Sequence, residues 1–125
     1  MTMKIVVLKF GGTSVGSIKR IKNVCKIITS YQKRKYKVIV VSSAMSGDTN
    51  KLVKLTKKIS NNFLPSEYDT IVATGEQISC SLIAGMLNDM GYLSRSWLSW
   101  QIPILTAGKY SNSRIVNINR NKILK

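Results

Sequence analysis

The 125-residue chain has no histidine, two cysteines, two prolines and five acidic residues, against twenty Lys and Arg. Without an imidazole there is no Cys-His pair and no histidine to complete a metal set. Cys25 and Cys80, far apart and each among apolar residues, therefore read as buried, reduced, structural thiols, and no metal site is expected. No run approaches the length of a membrane span. Met1 to Leu8 has too little charge, and too short an apolar stretch before Lys9 interrupts, for a secretory signal. A cytoplasmic protein with no membrane partner is expected. There is no internal repeat and no low-complexity linker.

What the chain has in excess is positive charge. The net charge is +15, eight of the basic residues fall between Lys19 and Lys37, and Asp48 is the only acid before Glu67. Such a field attracts polyanions, which brings a basic nucleic-acid-binding protein into consideration. Against it, the lysines are spaced as on solvated helix faces, and Tyr31 and Tyr36 are the only aromatics among them, so no stacking platform forms. Lysine, asparagine and isoleucine are abundant throughout, and the charge is attributed to compositional drift, with no specific nucleic-acid partner expected.

A chain of this length forms one domain that buries about two-thirds of the surface its unfolded form exposes. Lys4 to Phe10 is a nearly continuous apolar run, the signature of a strand covered on both faces as in parallel sheets. Ile18, Ile21, Cys25 and Ile28 recur at helical spacing with lysines and Arg20 between them, which predicts an amphipathic helix ending near Lys33. Val38 to Val41 is a second buried strand, so the three form a right-handed βαβ unit.

A small, polar loop from Ser42 to Asn50 leads into a helix carrying Leu52, Leu55 and Ile59, broken by Asn61 to Pro65. Ser66 with Asp69 reads as the next helix start, and the helical pattern runs to Gly91 with a bend near Gly75. Tyr92 to Ser99 and Arg114 to Ile118 are strand candidates separated by the turn-rich Ala107 to Ser113. Another helix begins as the chain reaches Lys125. The strands at both edges await partners.

Lys9-Phe10-Gly11-Gly12-Thr13-Ser14-Val15-Gly16 carries the chemistry. Adjacent glycines let N–H groups face a common concavity and leave no side chain to block an anion, while Lys9 supplies a point charge. Ser17 and the apolar period that follows it suggest a helix whose N-terminus faces the same place. The lysine precedes the glycines, so this is neither the dinucleotide fingerprint nor the nucleoside-triphosphate loop ending in Gly-Lys-Ser. The plain alternative is a tight strand-to-helix turn that starts with lysine. In open α/β sheets ligands collect at the carboxyl ends of strands, so this loop and Ser42 to Thr49 should open on one crevice.

Lys9 to Ser14, Val41 to Leu52 and Ala73-Thr74-Gly75-Glu76-Gln77-Ile78 stand in the order found in the N-terminal region of aspartokinases, and the chain resembles that family. Gly91-Tyr92, Trp100-Gln101 and Ser113-Arg114-Ile115 extend the similarity along nearly its whole length. The resemblance implies an α/β fold, the N-terminal half of an amino acid kinase domain over residues 1–125, mostly parallel in its sheet with helices on both faces. It implies transfer of a phosphoryl group from ATP, with nucleotide-bound Mg²⁺, to L-aspartate in the biosynthesis of lysine, threonine, methionine and diaminopimelate.

Position by position, it implies that Lys9 is catalytic and contacts the ATP phosphates with Gly11, Gly12, Thr13, Ser14 and Ser43. It further implies that Thr49 and Glu76 bind aspartate, Glu76 through its ammonium. The plain alternative for Glu76 is a helix-surface carboxylate. Aspartate's own side-chain carboxylate, with a pKa of about 3.9, is ionised at neutral pH, so the reaction needs no histidine base.

The Arg-Gly-Gly-Ser-Asp segment, the nucleotide half and the regulatory region of the family have no counterpart in these residues. The expectation is a truncated or split gene product, or one whose remainder comes from a complementary chain or a homo-oligomer. Competing readings are a non-catalytic fragment that assembles through its open sheet edge, and a related amino acid or carbamate kinase. The Thr-Gly-Glu-Gln helix and the Ser-Ala-Met-Ser-Gly-Asp-Thr-Asn loop disfavour the latter.

Overall fold

A computed structural model describes residues 4–124. Met1–Met3 and Lys125 lie outside the described residues, and with them part of the signal-sequence reading and the very end of the chain. Strand β1 (Lys4–Phe10) leads through the glycine turn to helix α1 (Ile18–Lys33) and strand β2 (Tyr36–Ser42). The two strands pair in parallel, Lys4 opposite Tyr36 and Phe10 opposite Ser42, which makes the βαβ unit the sequence predicts. Ser17 caps α1 by accepting from the Arg20 N–H, and Lys35, at φ 66°, turns the chain into β2.

Helices α2 (Asp48–Ile59), α3 (Pro65–Val72) and α4 (Thr74–Asp89) follow. The long helical pattern is interrupted at Ala73, two residues before the expected bend. Helix α3 starts with Pro65 in its first turn and has no side-chain cap, so the Ser66 start is corrected: proline's fixed φ and missing N–H suit that position. Pro65–Asp89 together is long and apolar enough to cross a membrane by length and composition, which corrects the expectation that no such stretch exists. Its α4 portion nevertheless packs inward, with Ile83 and Leu87 buried in the core.

The core is the layer between sheet and helices. Ile21, Val24, Cys25 and Ile28 of α1 meet Ile83 and Leu87 of α4 and Val15 of the turn, against Leu8, Phe10, Val38 and Val40 of the sheet. Each fully buried aliphatic side chain of this kind contributes about 1.5–3 kcal/mol. The opposite face of the strands is more open among the described residues: Ile5, Val7 and Val41 are 41%, 61% and 47% exposed. Cover on this face is partial: Ile123 and Leu124 lie with Ile5 and Ile39 around a cavity at the amino ends of the strands.

Tyr92–Ser99 joins no sheet, which corrects the strand expected there. The strand is instead β3 (Ile104–Lys109), paired antiparallel with β4 (Asn112–Ile118) through a bulge between Leu105 and Thr106. The hairpin reverses at Tyr110 and Ser111, the latter at φ 62°, and α5 (Arg120–Leu124) closes the described chain. Most of the hairpin is exposed. Its tip is held by Asp69 of α3, whose carboxylate accepts from the Ser111 N–H at 2.7 Å and hydroxyl at 2.8 Å.

Candidate functional site

The first two motifs meet at the carboxyl ends of β1 and β2. Lys9 pairs with Val41, and the Ser43 N–H donates to the Phe10 carbonyl at 3.0 Å. The turn beyond Phe10 closes on itself, because the Gly11 carbonyl accepts from the N–H of Ser14 at 2.9 Å and of Val15 at 3.3 Å. Lys9 is exposed on the same sheet face as Val7 and Val41, and Thr13 and Ser14 are exposed at the turn. A Cβ on Gly11 would meet no atom within 4 Å, so space is open beside that residue.

Glycine is required where the loops touch. A Cβ on Gly12 would lie 3.2 Å from the Ala44 carbonyl oxygen, and one on Gly75 would lie 2.8 Å from the Ala44 Cβ. Ala44 is thus gripped between the glycine turn and the start of α4, and all three motifs share one point of contact. Small residues there are a packing necessity.

Polar groups lock the same junction. Glu76 Oε1 accepts from the Ala44 N–H at 3.3 Å. Ser79, fully buried one turn further along α4, donates to the Ser43 carbonyl at 2.7 Å, and the Ser42 hydroxyl lies 3.4 Å from it. The half-buried Cys80 neighbours Ser42 and Glu76. Burial pushes its thiol up from the usual range, Glu76 adds to the rise, and hydrogen bonds from Ser42 and Ser79 work against it. Both cysteines are free thiols; Cys25 is buried, and burial raises it likewise.

Thr49 is placed differently. Gly47, at φ 85°, turns the second loop into α2, and Thr49 stands in the first helical turn beside Asp48, whose carboxylate pairs with Lys51 at 3.0 Å. No hydrogen bond joins Thr49 to Glu76 or to the glycine turn among the described residues. The structure therefore brings Lys9, the glycine turn, Ser43 and Glu76 to one end of the sheet, with Thr49 at the edge of the same loop. No three Asp, Glu, His or Cys side chains gather as a metal set among the described residues.

Sequence reasoning missed three participants. Ser79 could have been found, since Gly75 and Ser79 are small residues one turn apart, the spacing of a helix face in close approach. Ala44 is met through its backbone and its methyl group, and the Arg20 side chain of α1 donates to the Thr13 carbonyl at 2.6 Å; neither leaves a pattern in sequence. A cavity lined by Ile5, Gln32, Tyr36 and Ile39 lies toward the amino ends of the strands, away from this junction.

The sequence profile of the amino acid kinase family matches residues 4–125. The aspartokinase of Bacillus sp. (strain MGA3) is 45% identical over 123 residues, 98% of this chain and 30% of that protein. The aspartate kinase of Pseudomonas fluorescens (strain SBW25) is 43% identical over 97% of this chain and 30% of its own length. The crystal structure of aspartate kinase from Synechocystis superposes with a TM-score of 0.67 at 40% identity, over 70% of this chain and 15% of that one. The chain spans about 30% of the length of the curated relatives it matches.

Proposed function

The chain belongs to the amino acid kinase family, and from that premise we propose that residues 1–125 form the phosphate- and aspartate-binding portion of an aspartate kinase. The reaction is ATP and L-aspartate giving ADP and 4-phospho-L-aspartate, a cytoplasmic step toward lysine, threonine, methionine and diaminopimelate. The observation that carries the reading is the shared contact of three separate motifs at Ala44, with Gly12, Gly75 and Glu76 all meeting it.

Each residue has a task in this reading. The Lys9 ammonium offsets charge that develops on the transferring phosphoryl group, and the Gly11 and Gly12 backbone with Thr13, Ser14 and Ser43 holds the phosphates. Glu76 spends one carboxylate oxygen on the Ala44 N–H, which fixes its orientation, and offers the other to the aspartate ammonium; Thr49 assists at the loop edge. The aspartate carboxylate attacks in line with no protein base. Nucleotide-bound Mg²⁺ would offset charge on the phosphates.

The exposed Ile5, Val7 and Val41 favour a second element of the reading: a complementary chain or second copy covers this face, and the 125 residues alone show no aspartate-dependent turnover. A non-catalytic assembly fragment is the alternative that the same face supports. The test is to join residues 1–125 to the remaining length of the Bacillus sp. relative and assay ADP release. Aspartate-dependent release supports the reading, and a stably folded fusion with none contradicts it.

A further inference from the structure

Arg20 lies outside the three motifs, yet its side chain reaches into the first. Its Nη1 donates to the Thr13 carbonyl at 2.6 Å, while its backbone N–H is held by Ser17 Oγ at 3.3 Å. The same Thr13 carbonyl accepts from the Gly16 N–H at 3.4 Å, and the Gly11 carbonyl accepts from Ser14 and Val15. Both carbonyls are therefore engaged from within the turn and α1. The N–H groups of Gly12 and Thr13 have no protein acceptor among the described residues.

The orientation matters because a peptide plane is a dipole. An N–H that faces an anion attracts it, and a flipped plane presents the carbonyl instead and repels it. A glycine-containing turn flips readily unless its carbonyls are tied. We infer that Arg20 is a positioning residue for the proposed phosphate site. Its guanidinium pins the Thr13 carbonyl and fixes the peptide plane between Thr13 and Ser14, whose N–H closes the turn on the Gly11 carbonyl; the turn held closed in this way keeps the unpaired Gly12 and Thr13 N–H groups available to the terminal phosphates of a nucleoside triphosphate. One carbonyl uses one of the five guanidinium donors, and the positive charge stays beside the turn. This inference rests on the phosphate-binding role proposed for residues 9 to 14.

The test titrates inorganic tripolyphosphate into the isotopically labelled 125-residue chain at physiological salt and follows the amide signals of Gly11 to Ser14. In the wild type these signals shift in a saturable way. Arg20→Ala weakens binding ~tenfold, the loss expected of one charge-assisted interaction. It also moves the Thr13 carbonyl signal in the free protein. Arg20→Lys, which keeps charge and a donor, recovers part of the affinity. Lys33→Ala removes the same charge at the far end of α1 and changes affinity by less than about twofold, because screening weakens distant surface charges.

Signals of α1 and α4 report that each variant is folded, and the Arg20→Lys comparison stands if Arg20→Ala is not. If Gly11 to Ser14 do not respond in the wild type, the phosphate-site reading falls and the inference with it. If they respond and the Arg20 variants match Lys33→Ala, only the role of Arg20 is overturned.

Discussion

Glu76 on α4 accepts a hydrogen bond from the Ala44 backbone N–H at 3.3 Å, joining two motifs thirty-two residues apart. The contact holds one carboxylate oxygen and so orients the other. Glu76→Gln keeps an acceptor for Ala44 and removes the charge offered to the aspartate ammonium. In the fused enzyme the KM for aspartate should rise about tenfold or more, the scale of a lost charge-assisted pair, with the KM for ATP little changed. Equal effects on both substrates would place Glu76 elsewhere in the mechanism.

Two glycines in one helix should respond with opposite signs. Gly75→Ala puts a Cβ 2.8 Å from the Ala44 Cβ, and overpacking of this kind costs about 1–3 kcal/mol. Gly85→Ala meets nothing within 4 Å and should stabilise α4 by about 0.5–1 kcal/mol. Urea unfolding of the two variants measures both. A Gly75→Ala protein as stable as wild type would deny the close approach at Ala44.

The Asp69 clasp should govern the hairpin and little else. Asp69→Ala removes both bonds to Ser111, so amides of β3 and β4 should exchange faster with solvent while those of α1 and α4 keep their protection. Uniform loss of protection would make Asp69 part of the global fold.

Both thiols are raised from 9.0 by burial. Because the folded chain favours the protonated thiol, this contribution is complete below pH 9.0 and is lost as pH climbs from there through the higher folded values. At pH 8 an aromatic disulfide reagent should modify the folded chain more slowly than the urea-unfolded chain. Equal rates would show that the thiols are not buried.

Much of the architecture was legible because its signals are periodic. The spacing of Ile21, Cys25 and Ile28 predicts α1, and the runs around Val6 and Val40 predict the parallel pair. What was not legible depends on non-local partners. Gly108, Ser111 and Ser113 read as turn residues, yet Gly108 and Ser113 pair directly across the hairpin, where Gly108 takes φ 122° and the reversal is confined to Tyr110 and Ser111. Tyr92–Ser99 has strand-like composition but pairs with no strand among the described residues. The strands read as covered on both faces since their apolar runs do not alternate, and among the described residues the second face is covered only in part, by Ile123 and Leu124 at its amino end.

For the site, strand ends placed Lys9 and Ser43 together in advance. The convergence on Ala44, through its carbonyl, its N–H and its methyl group, and the reach of Arg20 to the Thr13 carbonyl are non-local contacts that no residue pattern encodes.

The charge of +15 should produce only nonspecific attraction. Binding to duplex DNA or RNA is expected to be weak, indifferent to sequence and steeply reduced by salt. A tight complex with a base preference at high salt would promote the nucleic-acid reading.

Lys9 is proposed to act on charge developing during phosphoryl transfer. The most direct test of this role is kcat for aspartate-dependent ADP release in the fused enzyme, with Lys9 and with Lys9→Ala. The expected result is a fall of about 10²–10³ in kcat, the scale of a lost transition-state donor, with folding and assembly intact. Unchanged kcat in a folded, assembled Lys9→Ala enzyme would contradict it.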